Sequence, residues 1–200
     1  MVIGLTGVFG SGKSTVLEMF RRRGVRVVSA DELIHRLLGR EGVKKKVRDL
    51  FGPGVFTAAG RVDRKALGRV VFTEPAARQR LEALLHPLVN GMIKRSAGKL
   101  ARGEILVAEV PLLYESGFTA VYDRVVCVSA SEEKILGRLR RGGFSDREIK
   151  RRLACQWPLK KKEERSDRVI RNDGDPAETE KQVALFLAEL DGQGTKKEAE

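Results

Sequence analysis

Cysteine is scarce in this 200-residue chain: Cys127 and Cys155 are the only two. Their spacing fits no zinc site, so a disulfide scaffold and a zinc module are both excluded, and two small buried residues in a reducing compartment are expected. Histidine is equally sparse, and His35 and His86 are too far apart to read as a metal pair. No apolar run reaches the roughly 18 residues of a membrane helix. No signal peptide precedes the first strand-like segment, so a cytoplasmic protein with no membrane partner is expected. Aromatic residues make up only 6%. No basic stretch carries the interleaved Phe and Tyr of a base-stacking platform, so nucleic acid is not expected as a partner. There are no internal repeats.

What is present is charge and alternation. The net charge of +12 fits a site for a polyanionic small molecule, and it also fits a solvated basic surface. Residues 2–6 read as a buried strand, 13–23 as a helix stopped by Gly24, and 25–28 as a second strand. Two strands around one helix make a βαβ unit with parallel strands. Residues 31–100 read as mostly helical, with Pro87 starting or kinking a helix and 51–60 forming a loop. Strand signals return at 105–108, 125–128 and 169–170. Ser129 with Glu132, and Ser145 with Glu148, read as capping boxes, and Asp175-Pro176 as a helix start. Beyond Asp191 the chain is polar, and 192–200 is expected to be a disordered tail of open function. The expected layout is α/β: a core on a parallel sheet, a helical insertion, and a second, Arg- and Lys-rich mobile segment that reads as a lid. The core takes 1–30, 104–140 and 167–191, the helical insertion about 40–100, and the lid about 141–166, all within one domain of 1–191.

The stretch GVFGSGKST at 7–15 carries the chemistry. Gly7, Gly12, Lys13 and Ser14 match G-x-x-x-x-G-K-[ST] between a strand and a helix. Glycines let backbone N–H groups close around a phosphate, and the helix start adds its dipole. Lys13 reaches the β/γ oxygens and the Ser14 hydroxyl is placed for Mg²⁺. The motif points to a nucleotide and leaves the acceptor open.

Asp31 follows the second strand, at the carboxyl edge where open parallel sheets bind ligands. It reads equally as a general base or as the N-cap of a helix at 32–39. Glu109 could hold Mg²⁺ through water, and Glu115 lies close to the site. His86 beside Pro87 reads first as a helix start. Arg138, Arg140 and Arg141 before Gly142-Gly143 suggest a hinged lid or a basic helix end, and Lys160-Lys161-Lys162 a surface run.

Seven segments together resemble the dephospho-CoA kinase family: IGLTGVFGSGKST at 3–15, SADELIHRLL at 29–38, GRVDRKALGRVVF at 60–72, LEALLHPLV at 81–89, VPLLYESG at 110–117, RRLACQWPLKKK at 151–162 and VIRNDG at 169–174. The resemblance spans about residues 2–190 and implies a three-layer phosphate-loop kinase core on a parallel sheet, with a helical substrate-binding (CoA-binding) lobe and a lid. It implies transfer of the γ-phosphate of ATP to the ribose 3′-hydroxyl of dephospho-CoA, the last step of CoA synthesis, with Mg²⁺ as metal and oligomeric state open. Asp31 then matches the second acid of the family's D-A-D motif, which implies the general base. Gly10, Ser11, Gly12, Lys13, Ser14 and Thr15 match the ATP-binding loop, and Asn172 and Gly174 the segment near adenine. Arg141 matches the lid arginine, with Arg140 as the alternative one residue earlier. His86, Pro87, Leu112 and Leu113 match the acceptor side, and Arg64 and Lys65 fall in the acceptor lobe. The chain departs from the pattern at Ser29, where the family has the first acid, at Gly142 after the lid arginine, and at Arg171 in the I-D-N segment. The alternative is a phosphate-loop kinase for another nucleoside or nucleotide.

Overall fold

The computed structural model describes residues 1–196, with side chains to Leu190. Five strands form one all-parallel sheet: β1 (Val2–Thr6), β2 (Arg26–Ser29), β3 (Leu106–Glu109), β4 (Arg124–Ser129) and β5 (Arg168–Arg171). Their order is β2-β3-β1-β4-β5. The chain leaves β1 for the sheet edge and returns to both of its flanks, so a crevice opens beyond the carboxyl end of β1.

Side chains alternate across the sheet. Ile3, Leu5, Val107, Val126 and Val128 face one side, against α1 (Lys13–Arg22) and α9 (Pro176–Lys196). Val2, Val28, Leu106 and Ala108 face the other. There they meet α2 (Ala30–Leu38), α3 (Glu41–Phe51), α4 (Arg64–Thr73) and α5 (Pro75–Ala97). Both faces of β1 and β3 are covered, which is why those strands read as unbroken apolar runs. A smaller core of Val8, Ile135, Leu139 and Ile149 seats α6 (Glu132–Arg141) and α7 (Asp146–Ala154) over the loop after β1. The short α8 (Leu159–Glu164) leads into β5.

Several local expectations change. Ser29, not Asp31, is the N-cap position of α2, and Asp31 lies in its first turn. Ser131 rather than Ser129 caps α6, accepting from the Lys134 N–H. Ser129 is the last residue of β4, and its hydroxyl donates to Glu163. The strand simply runs further than its apolar residues. Pro87 neither starts nor ends a helix, and lies inside the 23 residues of α5. Ser145 does cap α7, Asp63 caps α4, and Asp175 accepts from the Ala177 N–H at the start of α9. α9 runs through Lys196, so the expected polar tail falls partly on this helix. Residues 197–200 lie outside the described residues. Among the described residues no helix is long and apolar enough to cross a membrane.

Candidate active site

The loop from Gly7 to Gly12 turns over the carboxyl end of β1 and delivers the chain to the start of α1. Gly12 takes the N-cap position with φ +91°, and no side chain caps the helix. The first-turn N–H groups of α1 are therefore left for an anion. A Cβ at Gly12 would run into the Asn172 amide, so both the backbone conformation and the close approach require glycine there. The Ser11 hydroxyl is buried and has no hydrogen-bond partner among the described residues. A buried, unpaired donor in a loop of this shape fits a bound phosphate oxygen.

Lys13 is 8% exposed, and its ammonium donates to the Val8 carbonyl at 2.9 Å. Burial pulls its pKa down to about 8. The Glu109 carboxylate works against that drop, the Lys162 charge adds to it, and Asp31 opposes it. Glu109 ends β3 in register with Leu5 of β1 and Ser29 of β2. Burial raises its pKa, while Lys13 and a hydrogen bond from Ser29 hold it down. Ser29, which stands where the family pattern has an acid, thus meets Glu109 side by side across β2 and β3. Asp31 is exposed on the cleft, and its field reaches both Lys13 and Glu109.

The cleft holds about 650 Å³ and has two walls. One is the phosphate loop and the start of α1, including Gly10, Gly12, Lys13 and Ser14. The other is a polar stripe along α5, Arg78, Glu82, His86 and Asn90, one helical turn apart, with Pro111 and Leu112 beside it. Burial lowers the pKa of His86 and raises that of Glu82. Asp31 lies between the two walls in sequence and lines the same cleft.

Not every residue expected at the site lines it. Leu113 is fully buried beneath β1, because Gly4 leaves room for it there. Pro87 is exposed on α5 and off the cleft wall. Arg64 and Lys65 are exposed at the start of α4, where the Arg64 guanidinium donates to His35 Nδ1 at 3.1 Å. Thr15 and Gly174 are exposed and do not line the cleft. Asn172 is buried, and its amide donates to the Ser11 carbonyl at 2.9 Å, so it braces the loop from behind.

The lid arginines sort differently from the sequence expectation. Arg141 is exposed, and Arg140 pairs with Asp146 at 2.9 Å. Neither lines the cleft. Arg138 does, with its guanidinium donating to the Ser11 and Asn172 carbonyls at 3.3 and 2.6 Å. Two and three residues before Arg140 and Arg141 on α6, it faces the loop while they face solvent. Arg138→Ala is expected to weaken ATP binding by about tenfold or more, since a hydrogen bond to a charged group contributes about 1.5–3 kcal/mol. Arg141→Ala should stay within about twofold. Calorimetry with a non-hydrolysable ATP analogue decides, and equal losses in the two variants would contradict this assignment.

Two further groups lie in a segment that carries the family resemblance and was given no role at the site. Arg152 of α7 lines the cleft, with its guanidinium 4.9–5.0 Å from the rings of Phe9, Phe72 and Phe144. Gln156, four residues on, accepts from the Phe9 N–H at 2.7 Å. The R-x-x-x-Q spacing in RRLACQW, within a segment that carries the family resemblance, was the available signal; Arg152 lies in the last turn of α7 and Gln156 just past its end.

This geometry has close counterparts. The family model for dephospho-CoA kinase matches residues 1–178. The chain belongs to the dephospho-CoA kinase family. It is 37% identical to the dephospho-CoA kinase of Geobacillus kaustophilus over 195 residues, covering 96% of this chain and 97% of that one. It is 42% identical to that of Symbiobacterium thermophilum over 199 residues, covering 96% and 83%. A solved structure from Thermus thermophilus superposes with a TM-score of 0.80 at 34% identity, over 95% of this chain and 97% of that one. Membership in a kinase family implies use of ATP.

Proposed function

We infer that the chain transfers the γ-phosphoryl group of ATP to the ribose 3′-hydroxyl of dephospho-CoA, giving CoA and ADP. The observation that carries this reading is a single cleft. It runs from the phosphate loop past Asp31 to the polar stripe of α5, in a chain of this family.

The loop N–H groups, the start of α1 and Lys13 take the triphosphate. Arg138 and Arg152 stand at the same opening and can spread the charge of the transferring group. Asp31 takes the proton of the 3′-hydroxyl as it attacks phosphorus, and the bond to the ADP oxygen breaks in line. The α5 stripe, with His86 and Asn90, orients the acceptor. Residues of about 141–166 act as the lid and about 40–100 as the acceptor lobe, and their approach excludes water. The oxygen donors Ser14, Asp31 and Glu109 fit a hard divalent cation, with Ser14 and Glu109 as the residues that would hold Mg²⁺. Bound there, Mg²⁺ neutralises phosphate charge.

The lowered pKa of Lys13 has a readable consequence. In the free protein its ammonium loses its proton near pH 8, whereas an unfolded chain keeps it to about 10.5. Between those values the unfolded state binds the extra proton, so this group's contribution to folding stability rises with pH. A triphosphate reverses the balance by favouring the ammonium. ATP binding at pH 8 is therefore expected to take up protons, and affinity should fall as pH rises above 8. Calorimetry in buffers of different ionisation enthalpy measures the uptake, and Lys13→Met should abolish it.

The reading itself is tested by offering the protein ATP with dephospho-CoA, and separately with a panel of nucleosides and nucleotides, while ADP release is followed. Turnover with dephospho-CoA well above the panel is expected. Faster turnover with any panel member would replace it.

A further inference from the structure

Lys162 is the one residue of the Lys160-Lys161-Lys162 run that is completely buried. A lysine at zero exposure must have its charge met within the protein. Here the ammonium donates to the Pro111 carbonyl at 2.6 Å and lies 2.8 Å from Glu115 Oε1. Both partners belong to the loop after β3, whose residues Pro111, Leu112 and Ser116 line the cleft. Glu115 Oε1 also accepts from the Trp157 N–H at 2.7 Å. The neighbouring Gln156 holds the Phe9 N–H of the phosphate loop. Tyr114 completes the seam. Its ring stacks on Trp157 at 5.6 Å, and its hydroxyl donates to the Arg165 carbonyl at 2.8 Å. One short stretch, 156–162, thus grips the phosphate loop with one residue and the acceptor-side loop with the next.

We propose that Lys162 is a positioning residue for the acceptor: by clamping the Pro111 carbonyl and Glu115 it fixes the 110–116 loop relative to the phosphate loop. This rests on the acceptor reading above. Holding a reacting group in line is sensitive to displacements of about 1 Å, and the Pro111 carbonyl is fixed from only two directions. The second is a longer contact from the Thr6 hydroxyl at 3.4 Å. A surface lysine could not do this, because water would compete for the carbonyl and screen the pair.

The test separates positioning from simple stabilisation. Removing one charge alone would leave the other buried and unpaired, and that variant could fail to fold. The double variant K162M/E115Q removes both charges together and keeps an acceptor for the Trp157 N–H. Its net charge equals that of the wild type, and what Lys13 loses is the repulsion from Lys162, a change that favours its ammonium and so does not by itself weaken nucleotide binding. Its melting temperature should stay near that of the wild type, and its Kd for a non-hydrolysable ATP analogue within about threefold. Its KM for dephospho-CoA should rise about tenfold or more, because only the acceptor side has lost its clamp. A wild-type KM, or a nucleotide Kd that weakens as much as KM rises, would overturn the proposal. If the wild type makes no CoA, the acceptor reading fails independently. Hydrogen exchange of the 110–117 amides then decides the clamp: faster exchange in the double variant supports it, and unchanged exchange overturns it.

Discussion

Asp31→Asn is expected to lower kcat by about 10²–10⁴-fold with ATP affinity close to wild type, the range associated with loss of a positioned general base. Asparagine keeps the size and a hydrogen-bonding oxygen but cannot accept the 3′-hydroxyl proton. The structure makes this substitution unusually clean. Asp31 makes no cap hydrogen bond, since the N-cap position of α2 belongs to Ser29 and that end has no side-chain cap. Losing a carboxylate from the first turn of α2 should therefore cost less than about 1 kcal/mol of stability. A collapse in kcat without a collapse in melting temperature would then be chemical in origin. If kcat falls by less than about tenfold, the base is another group. Glu109 becomes the first alternative, because it ends the strand beside β1 and its raised pKa favours proton binding.

Lys13→Met should lower kcat/KM by about 10²–10³-fold, the loss seen when one donor to a developing charge is removed. Methionine has nearly the same length and fills the same buried path, so packing is retained. What disappears is a cation at the mouth of the phosphate loop. The substitution should not destabilise the ligand-free protein, because burial already penalises the ammonium strongly enough to bring its pKa to about 8. A melting temperature that is unchanged or raised, together with the loss of activity, is the expected pair of results. Activity within about fivefold of wild type would mean that the loop N–H groups and Arg138 carry the phosphate charge without it.

The sheet and the phosphate loop were legible because their signals are local. Strand, glycine loop and helix follow one another within residues 2–22, and an unbroken apolar run gives way at the loop to a period-3.6 pattern. The caps were partly legible. Ser145 and Asp175 sit where sequence places them, but Ser129 does not cap α6, since β4 continues through it and Ser131 takes the position. The lid was harder. Arg138, Arg140 and Arg141 look alike in sequence, and only the packing of α6 over the loop decides that Arg138 faces inward. Lys162 was not legible at all. Its burial depends on Pro111 and Glu115, 51 and 47 residues away, and no local pattern distinguishes it from its two neighbours. Arg64 and Lys65 are exposed at the start of α4 and do not line the cleft, and there the Arg64 guanidinium donates to His35 Nδ1.

The most direct test of the central claim is the identity of the product. Purified protein, Mg²⁺, ATP and dephospho-CoA are mixed, the reaction is quenched, and the CoA-containing product is analysed by mass and by the position of its new phosphate. The account predicts one added phosphoryl group on the ribose 3′-oxygen, formed in equal amount to ADP. Protein that still binds ATP but leaves dephospho-CoA unchanged, or that phosphorylates another position, would contradict it.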